Sequence, residues 1–198
     1  MSTVLISGAD ADAVSSRLST DGHAVTAATT VMALKELAPS ITQGSVDLYI
    51  QLPVRVVTEG ANAVDVIGHF LREGLLRRFD AASAVLPLLA TCAATMLVGG
   101  NHPADSHAPD NPEARISLMK VLGHALLLEK PGDVTVSIVA GAGVERIAEL
   151  AQQLLTSPSS AKPMSVSLET AEELTDSIPP LDYAHWRDAL LTMTETRA

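Results

Sequence analysis

The sequence has few aromatic residues and little positive charge. Among its 198 residues are one tryptophan, two tyrosines and two phenylalanines, and 13 lysines and arginines stand against 23 aspartates and glutamates. The formal charge of −10 repels a phosphate backbone, and so few rings leave little surface for base stacking. Nucleic acid is therefore not the expected partner.

Cysteine and long apolar runs are also scarce. Cys92 is the single cysteine, which excludes a disulfide framework, and its apolar, alanine-rich surroundings predict a core thiol. No basic, apolar leader opens the sequence, and no apolar run reaches the roughly 20 residues that a membrane-spanning helix needs. We therefore expect a cytoplasmic protein that does not cross a membrane.

The hydrophobic content of 47% is enough for a sizeable core without metal or disulfide support. β-rich runs alternate with amphipathic runs, which predicts a doubly wound, mainly parallel α/β sheet with helices on both faces. Strands are predicted at 3–7, 23–28, 46–51, 95–98, 134–139 and 164–168, and helices at 11–19, 31–38, 66–89, 113–129 and 144–155. We expect one domain over residues 1–169 and an acidic tail with a short helix over residues 170–198.

The turn after the first strand keeps only part of a dinucleotide-binding fingerprint. In such a fingerprint the later glycines let the backbone approach a pyrophosphate at a helix N-terminus. Here Ser7 and Gly8 are followed by Asp12 and Val14 at the positions of the two later glycines. Asp12 places a negative charge beside a would-be phosphate and Val14 adds bulk, so the turn indicates a nucleotide-binding fold that no longer holds a nucleotide.

From Val4 to about Leu168 the order of elements resembles the short-chain dehydrogenase/reductase family. Residues 46–51 resemble the family's fourth strand, and Ala84-Val-Leu-Pro87 resembles the end of its long interface helix. A helix, a small polar linker and a last strand then follow in the family's usual order and spacing. The resemblance implies a Rossmann-like sheet.

The same resemblance implies a smaller cofactor half and a poorer cofactor site. The segment 29–45 is too short for the family's usual helix, third strand and helix, so one strand is expected to be missing. Neither an acid for a ribose nor an arginine for a 2′-phosphate follows the second strand, and Gln51-Leu-Pro53 replaces the family's asparagine and glycine turn. We therefore predict no cofactor. The expected vacated cleft lies at Ser7, Gly8, Asp12, Gln51, Gly99 and Gly100.

The family's catalytic pair is also missing at the matching positions. If Lys120 is the active lysine, Ile116 stands in place of the tyrosine, and the serine falls near Gly99 or Gly100. An isoleucine cannot protonate a developing alkoxide, so no catalytic residue is predicted.

A polar loop after the fourth predicted strand holds His102, Asp105, His107 and Asp110. Imidazole and carboxylate groups ligate metals or act as an acid/base pair, but this spacing matches no strong metal signature. We predict no metal site. Lys120, His102 and His107 remain as residual catalytic candidates.

Three functions follow, of which the leading one is a non-catalytic scaffold. Such a regulatory or partner subunit would form a homodimer, or a heteromer with an active relative, through the helices at 66–89 and 113–129. The second of these helices is apolar on more than one face. The alternatives are a divergent NAD(P)-dependent oxidoreductase and a small-molecule binding protein that uses the vacated cleft, where Asp12 suits a cation or a hydroxyl-rich ligand.

Overall fold

The computed structural model describes residues 1–54, 61–99, 112–130, 134–139, 143–156 and 164–167. They form one six-stranded sheet with helices on both faces. The strands are β1 (Thr3–Ser7), β2 (Ala24–Ala28), β3 (Val46–Gln51), β4 (Leu89–Val98), β5 (Val134–Val139) and β6 (Met164–Ser167). The helices are α1 (Ala11–Thr20), α2 (Val31–Leu37), α3 (Ala63–Phe70), α4 (Arg77–Val85), α5 (Pro112–Glu129) and α6 (Val144–Thr156). The predicted tail over 170–198 lies outside the described residues.

All strands are parallel and are ordered β2-β1-β3-β4-β5-β6. The chain first adds β2 on one side of β1 and then crosses over to add β3 on the other side. The direction in which successive strands are added therefore reverses between β1 and β3. Residues 29–45 contain α2 and a short 3₁₀ turn at Ala38–Ser40 but no strand, which leaves β2 at the edge. The predicted doubly wound sheet with one strand missing is confirmed.

The core has two sides because successive strand residues point to opposite faces of the sheet. On one side, Val4, Ile6 and Ile50 pack with residues of α1 and α6. On the other, Leu5 and Tyr49 pack with residues of α2 and α4, and α5 covers the β4–β5 part of the sheet. No helix in the described part of the chain has both the length and the apolar character needed to span a membrane.

The predicted helix over 66–89 is divided in the structure. A π-helical turn at Leu71–Leu76 joins α3 to α4, and a 3₁₀ turn at Leu86–Leu88 ends the segment. Leu89 already belongs to β4, which is therefore six residues longer than predicted. Hydrophobic periodicity does not separate a helix from a buried strand in such a short apolar run, and pairing with the neighbouring strands decides the matter.

The prediction of a core thiol at Cys92 was wrong. In the β3–β4 pairing Val46 lies opposite Leu89, whereas Leu48 lies opposite Ala94, so β4 carries extra residues at this point. Cys92 lies in this irregularity with a φ of 66° and is exposed. Such a bulge turns side chains away from the regular alternation of a strand, and here it carries the thiol out of the core.

Candidate functional site

The turn between β1 and α1 is shaped by a close approach of two backbone segments. Gly8 has a φ of +111°, and a Cβ atom at this position would collide with the carbonyl oxygen of Leu52 and lie 2.8 Å from that of Pro53. A residue with a side chain would therefore meet both left-handed backbone strain and a collision with the segment that follows β3. The glycine retained from the fingerprint has a structural reason that involves no ligand.

The backbone amides of this turn are used within the protein. Gly8 N–H donates to the carbonyl of Ala28 at 3.0 Å, and Ala9 N–H donates to the carbonyl of Pro53 at 2.7 Å. A pyrophosphate is normally held by free amides at such a turn. Because these two amides already have acceptors, neither is available to an anion.

A cleft of about 690 Å³ opens beside the turn. Its walls come from the start of α1, the residues after β2, and the segment leading into α4. Alanine, valine and methionine side chains alternate there with two threonines and with charged side chains, which are Asp10, Asp12, Glu73 and Arg77. Asp12 lines it and is exposed. Arg77 also lines it, but its Nε donates to Glu73 Oε2 at 3.0 Å. The cleft therefore has a mixed lining, in which three carboxylates stand against one arginine.

Val14 does not border this cleft. Its side chain is fully buried in the core between α1, α6 and the sheet. The Val14 side chain, at the position of the third fingerprint glycine, therefore packs between α1 and the sheet. Of the two substituted positions, only Asp12 lies at the cleft where a pyrophosphate would bind.

A polar network lies under the carboxyl ends of β1 and β3, at the point where the strand order reverses. The hydroxyl groups of Ser7 and Tyr49 are 2.7 Å apart, and Gln51 Nε2 donates to Tyr49 Oη at 3.2 Å. Ser7 and Gln51 face each other in the β1–β3 register. All three side chains are buried. Two residues of the predicted cleft are thus brought together, but below its surface.

Arg78 of α4 completes this network. Its Nε donates to Gln51 Oε1 at 2.9 Å, while Gln51 Nε2 donates back to the Arg78 carbonyl at 2.9 Å. Its Nη2 donates to the carbonyls of Gln51, at 3.2 Å, and Val98, at 2.8 Å. Arg78 is only 3% exposed. The guanidinium therefore ties α4 to the ends of β3 and β4.

Burial sets the protonation of this network. Loss of solvation lowers the pKa of Arg78 to about 10, an effect that the nearby Tyr49 opposes. Burial also raises the pKa of Tyr49, against the influence of its bonds to Ser7 and Gln51 and of the Arg78 charge. The buried phenol of Tyr49 therefore stays protonated near neutral pH.

The remaining predicted site residues are not gathered around the cleft within the described part of the chain. Gly99 is buried and its N–H donates to the carbonyl of Val139 at 2.7 Å. Lys120 is exposed on α5. Gly100, His102 and His107 lie outside the described residues. Among the residues that are described, no group of three or more His, Cys, Asp or Glu side chains is placed to hold a metal.

Sequence reasoning missed Arg78, although a signal was present. Arg78 lies three residues after Leu75 and four before Ala82, which places a charge on the stripe of the helix that faces the sheet. A charged residue on a buried stripe requires partners, and a search for them would have led to the carbonyl groups at the strand ends.

The strand order, the parallel register and the crossover at β1 and β3 define the fold of the short-chain dehydrogenases/reductases. A double mutant of the Serratia marcescens enzyme of that class matches with a TM-score of 0.58 at 16% identity, over 84% of this chain and 95% of that one. BdcA in complex with NADPH matches with a TM-score of 0.59 at 15% identity, over 93% and 97%.

The protein lin1944 from Listeria innocua gives a TM-score of 0.59 at 11% identity, over 85% of this chain and 100% of that one. No family model and no curated protein matches the sequence. At these identities the likeness establishes the fold alone.

Proposed function

We propose that this chain is a non-catalytic protein of the reductase-like fold, a regulatory or partner subunit that has lost dinucleotide binding. The observation that carries this proposal is the closed turn after β1, where the Gly8 and Ala9 amides donate to Ala28 and Pro53. The carboxylate of Asp12 at the cleft supports it, because it repels a pyrophosphate.

Proton-transfer chemistry has little support among the described residues. Lys120 is exposed, and the one described tyrosine, Tyr49, is buried with a raised pKa. A reductase of this class needs a hydroxyl acid with a nearby ammonium that lowers its pKa. The Arg78 charge only partly offsets the burial of Tyr49.

The outer face of α4 and α5 is the surface through which such a subunit would act. A groove of about 300 Å³ runs between the two helices, and Phe79, Leu86, Leu122 and Leu126 are among the residues that line it. Val121 and Leu128 are 60% and 80% exposed on α5. In the family that the sequence resembles, these helices pair with their copies, which favours a homodimer or a heteromer with a relative.

A divergent NAD(P)-dependent oxidoreductase is the second candidate. It is favoured by the large cleft at the ends of β1 and β2 and by the likeness to BdcA, a protein whose structure holds NADPH. In this case Lys120, His102 or His107 would replace the tyrosine. The two candidates differ in one measurable property, which is binding of the cofactor.

Isothermal titration of the full chain with NAD(H) and NADP(H) tests the proposal. We expect no saturable heat from the wild type, because the Gly8 and Ala9 amides already have acceptors and Asp12 adds a negative charge to the cleft. Asp12→Asn removes the repulsion, and Glu36→Gln removes an exposed carboxylate that does not line the cleft. Micromolar binding by the wild type would refute the proposal and favour the oxidoreductase.

Binding that appears only in Asp12→Asn would show that charge alone disabled the site. Continued absence of heat in both variants would support the closed turn as the cause.

A further inference from the structure

The sheet ends at β2, whose outer edge is unpaired in the described part of the chain. β2 pairs with β1 in an unbroken parallel register from Ala24 to Ala28, and no described strand lies on its other side. Such an edge presents a row of backbone N–H and C=O groups to which another extended chain can add. The edge of β2 is therefore a surface on which a further strand can dock.

The backbone groups that point outward belong to Val25 and Ala27. The Ala24 N–H donates to the carbonyl just before β1, and the Ala28 carbonyl accepts from the amide just after β1, each at 3.0 Å. The direction of these groups alternates along a strand, so residues 24, 26 and 28 bond to β1 and residues 25 and 27 face away from it. Val25 and Ala27 therefore each present one N–H and one C=O that no described strand pairs.

This edge carries none of the features that usually prevent strand addition. Proteins protect free edges with charged side chains, proline or a bulge. Residues 24–31 contain no charged residue and no proline, and the pairing of β2 with β1 is regular throughout. Residues 24–27 are partly exposed. The edge of β2 is thus both accessible and uncharged.

The C-terminal end of this edge leads into the large cleft. Thr29 and Thr30 directly follow β2 and line the cleft. The lining carries three carboxylates against one arginine, and that arginine, Arg77, is already paired with Glu73 at 3.0 Å. Asp12 is exposed there. A strand added along β2 therefore runs towards an acidic cleft, whose charge is complementary to that of a basic side chain.

We propose that the edge of β2 binds an extended segment of a partner protein, which adds to the sheet as a seventh, antiparallel strand and places a basic side chain at the cleft. Antiparallel pairing is slightly more stable per residue than parallel pairing, so the N-terminal end of the segment lies at the cleft. In a second copy of this chain, the residues before β2, 18–23, hold Asp21 but no lysine or arginine and do not supply this side chain.

The inference rests on the proposed function, since a bound dinucleotide would occupy the cleft, and it gives the partner subunit a surface apart from α4 and α5. The test contains no dinucleotide. Cofactor binding and strand addition are measured separately on the same protein, so each proposal can fail without the other.

Two capped peptides of identical composition and charge are suitable probes. They are acetyl-Lys-Thr-Val-Thr-Val-Thr-amide and acetyl-Thr-Val-Thr-Val-Thr-Lys-amide, the Lys-first and Lys-last peptides. We expect saturable binding of the Lys-first peptide to the full chain by isothermal titration, about threefold tighter than that of the Lys-last peptide. Attraction to the net charge of the protein treats both alike, so equal affinities, a preference for Lys-last or no binding would overturn the proposal.

Three variants separate backbone pairing from charge. Ala27→Pro removes an outward N–H and keeps the bonds to β1, and should weaken binding of the Lys-first peptide by about tenfold. Asp12→Asn should lower the preference for Lys-first over Lys-last. Glu36→Gln, at an exposed carboxylate that does not line the cleft, should leave that preference unchanged. Full affinity in a folded Ala27→Pro variant would contradict strand addition.

Amide hydrogen exchange followed by NMR covers the case in which Ala27→Pro fails to fold. In the wild type without peptide, the Val25 and Ala27 amides should exchange quickly and the Ala24 amide slowly, since only the last is bonded to the strand segment beside it. Saturation with the Lys-first peptide should slow exchange at Val25 and Ala27 by about tenfold or more. Slow exchange before any peptide is added would show that another segment or a second copy already covers the edge, and would overturn the proposal, as would unchanged exchange on binding.

Discussion

At the scale of single residues, Gly8 shows how a position retained from a ligand-binding fingerprint can serve the fold alone. Its left-handed backbone, and the collision that a Cβ atom there would make with the Leu52 carbonyl oxygen, are set by the path of the chain after β3. The same close approach brings the Pro53 carbonyl to the Ala9 amide. The turn is thus closed by its own neighbours.

Gly8→Ala should therefore be strongly destabilising. We expect a loss in the free energy of unfolding well above the roughly 1–2 kcal/mol that left-handed strain alone costs, because strain and collision add. Urea denaturation monitored by circular dichroism measures this loss.

Gly22→Ala is the matched control, since Gly22 has a φ of +87° with nothing within 4 Å of a would-be Cβ. The free energy of unfolding of Gly22→Ala should fall only by the cost of left-handed backbone strain. Equal losses in the two variants would show that the Leu52 segment moves aside freely.

Tyr49 is expected to make the protein less stable as the pH becomes alkaline. Its pKa is raised above the ordinary value of about 10, so the unfolded chain releases this proton first as the pH increases. The stabilisation contributed by the protonated tyrosine is therefore complete below pH 10 and is lost as the pH rises through the higher pKa of the folded state.

Tyr49→Phe isolates this contribution. At neutral pH the variant should be less stable by about 1–3 kcal/mol, because buried Ser7 and Gln51 lose a hydrogen-bond partner. Above about pH 10 the difference should shrink in urea denaturation series. A difference that stays constant with pH would contradict the assignment.

At the scale of the secondary-structure elements, α5 is a helix with apolar side chains both against the sheet and on its exposed surface. Met119, Leu122 and Leu126 pack against the sheet, while Val121 and Leu128 remain 60% and 80% exposed. Together with the groove along α4, this leaves an apolar face on the molecule. Exposed apolar patches of this kind mark interaction surfaces.

If the proposed dimer forms through this face, Leu128→Glu should convert it to a monomer. A carboxylate at position 128 would be desolvated without a partner wherever the proposed interface covers it, whereas the folded monomer should change by no more than about 0.5 kcal/mol because the side chain is exposed. Light scattering coupled to size exclusion gives the mass. Met32→Glu, at an exposed methionine on α2, is the control and should leave the dimer intact. A monomeric wild type would refute the proposed interface.

At the scale of the whole molecule, the sheet keeps a Rossmann-like topology but has one strand fewer on the side of β2. The sheet has lost the strand beyond β2, so β2 is the edge, and the cleft there is bordered by the residues that follow it. Solved structures with 11–16% identity nevertheless match over 84–93% of the chain. The backbone topology is therefore shared with proteins of very different sequence, and it does not by itself define a function.

Much of the fold could be predicted because its signals are local. Alternation and apolar runs located β1, β3 and β5 to the residue, and short helices with turn residues located α1, α2 and α6 to within one or two positions. The boundary between α4 and β4 could not be predicted in this way, since no turn signal precedes Leu89, and this residue belongs to the strand because it pairs with Val46.

The candidate site was less accessible from the sequence. Ser7 and Gln51 lie opposite each other at the carboxyl ends of β1 and β3, and Asp12 near the start of α1 lines the cleft. Their division into a buried pair and an exposed carboxylate was not predictable, since it depends on the Tyr49 and Arg78 side chains that pack over them.

The sequence by itself determined the element order, the missing strand and the loss of the glycine fingerprint, because each is written in residues that are adjacent along the chain. Only the tertiary structure decided that Arg78 meets Gln51, 27 residues away, and the Val98 carbonyl, 20 residues away. Hydrogen bonds between distant segments depend on the path of the backbone in three dimensions, and neither periodicity nor spacing carries that information.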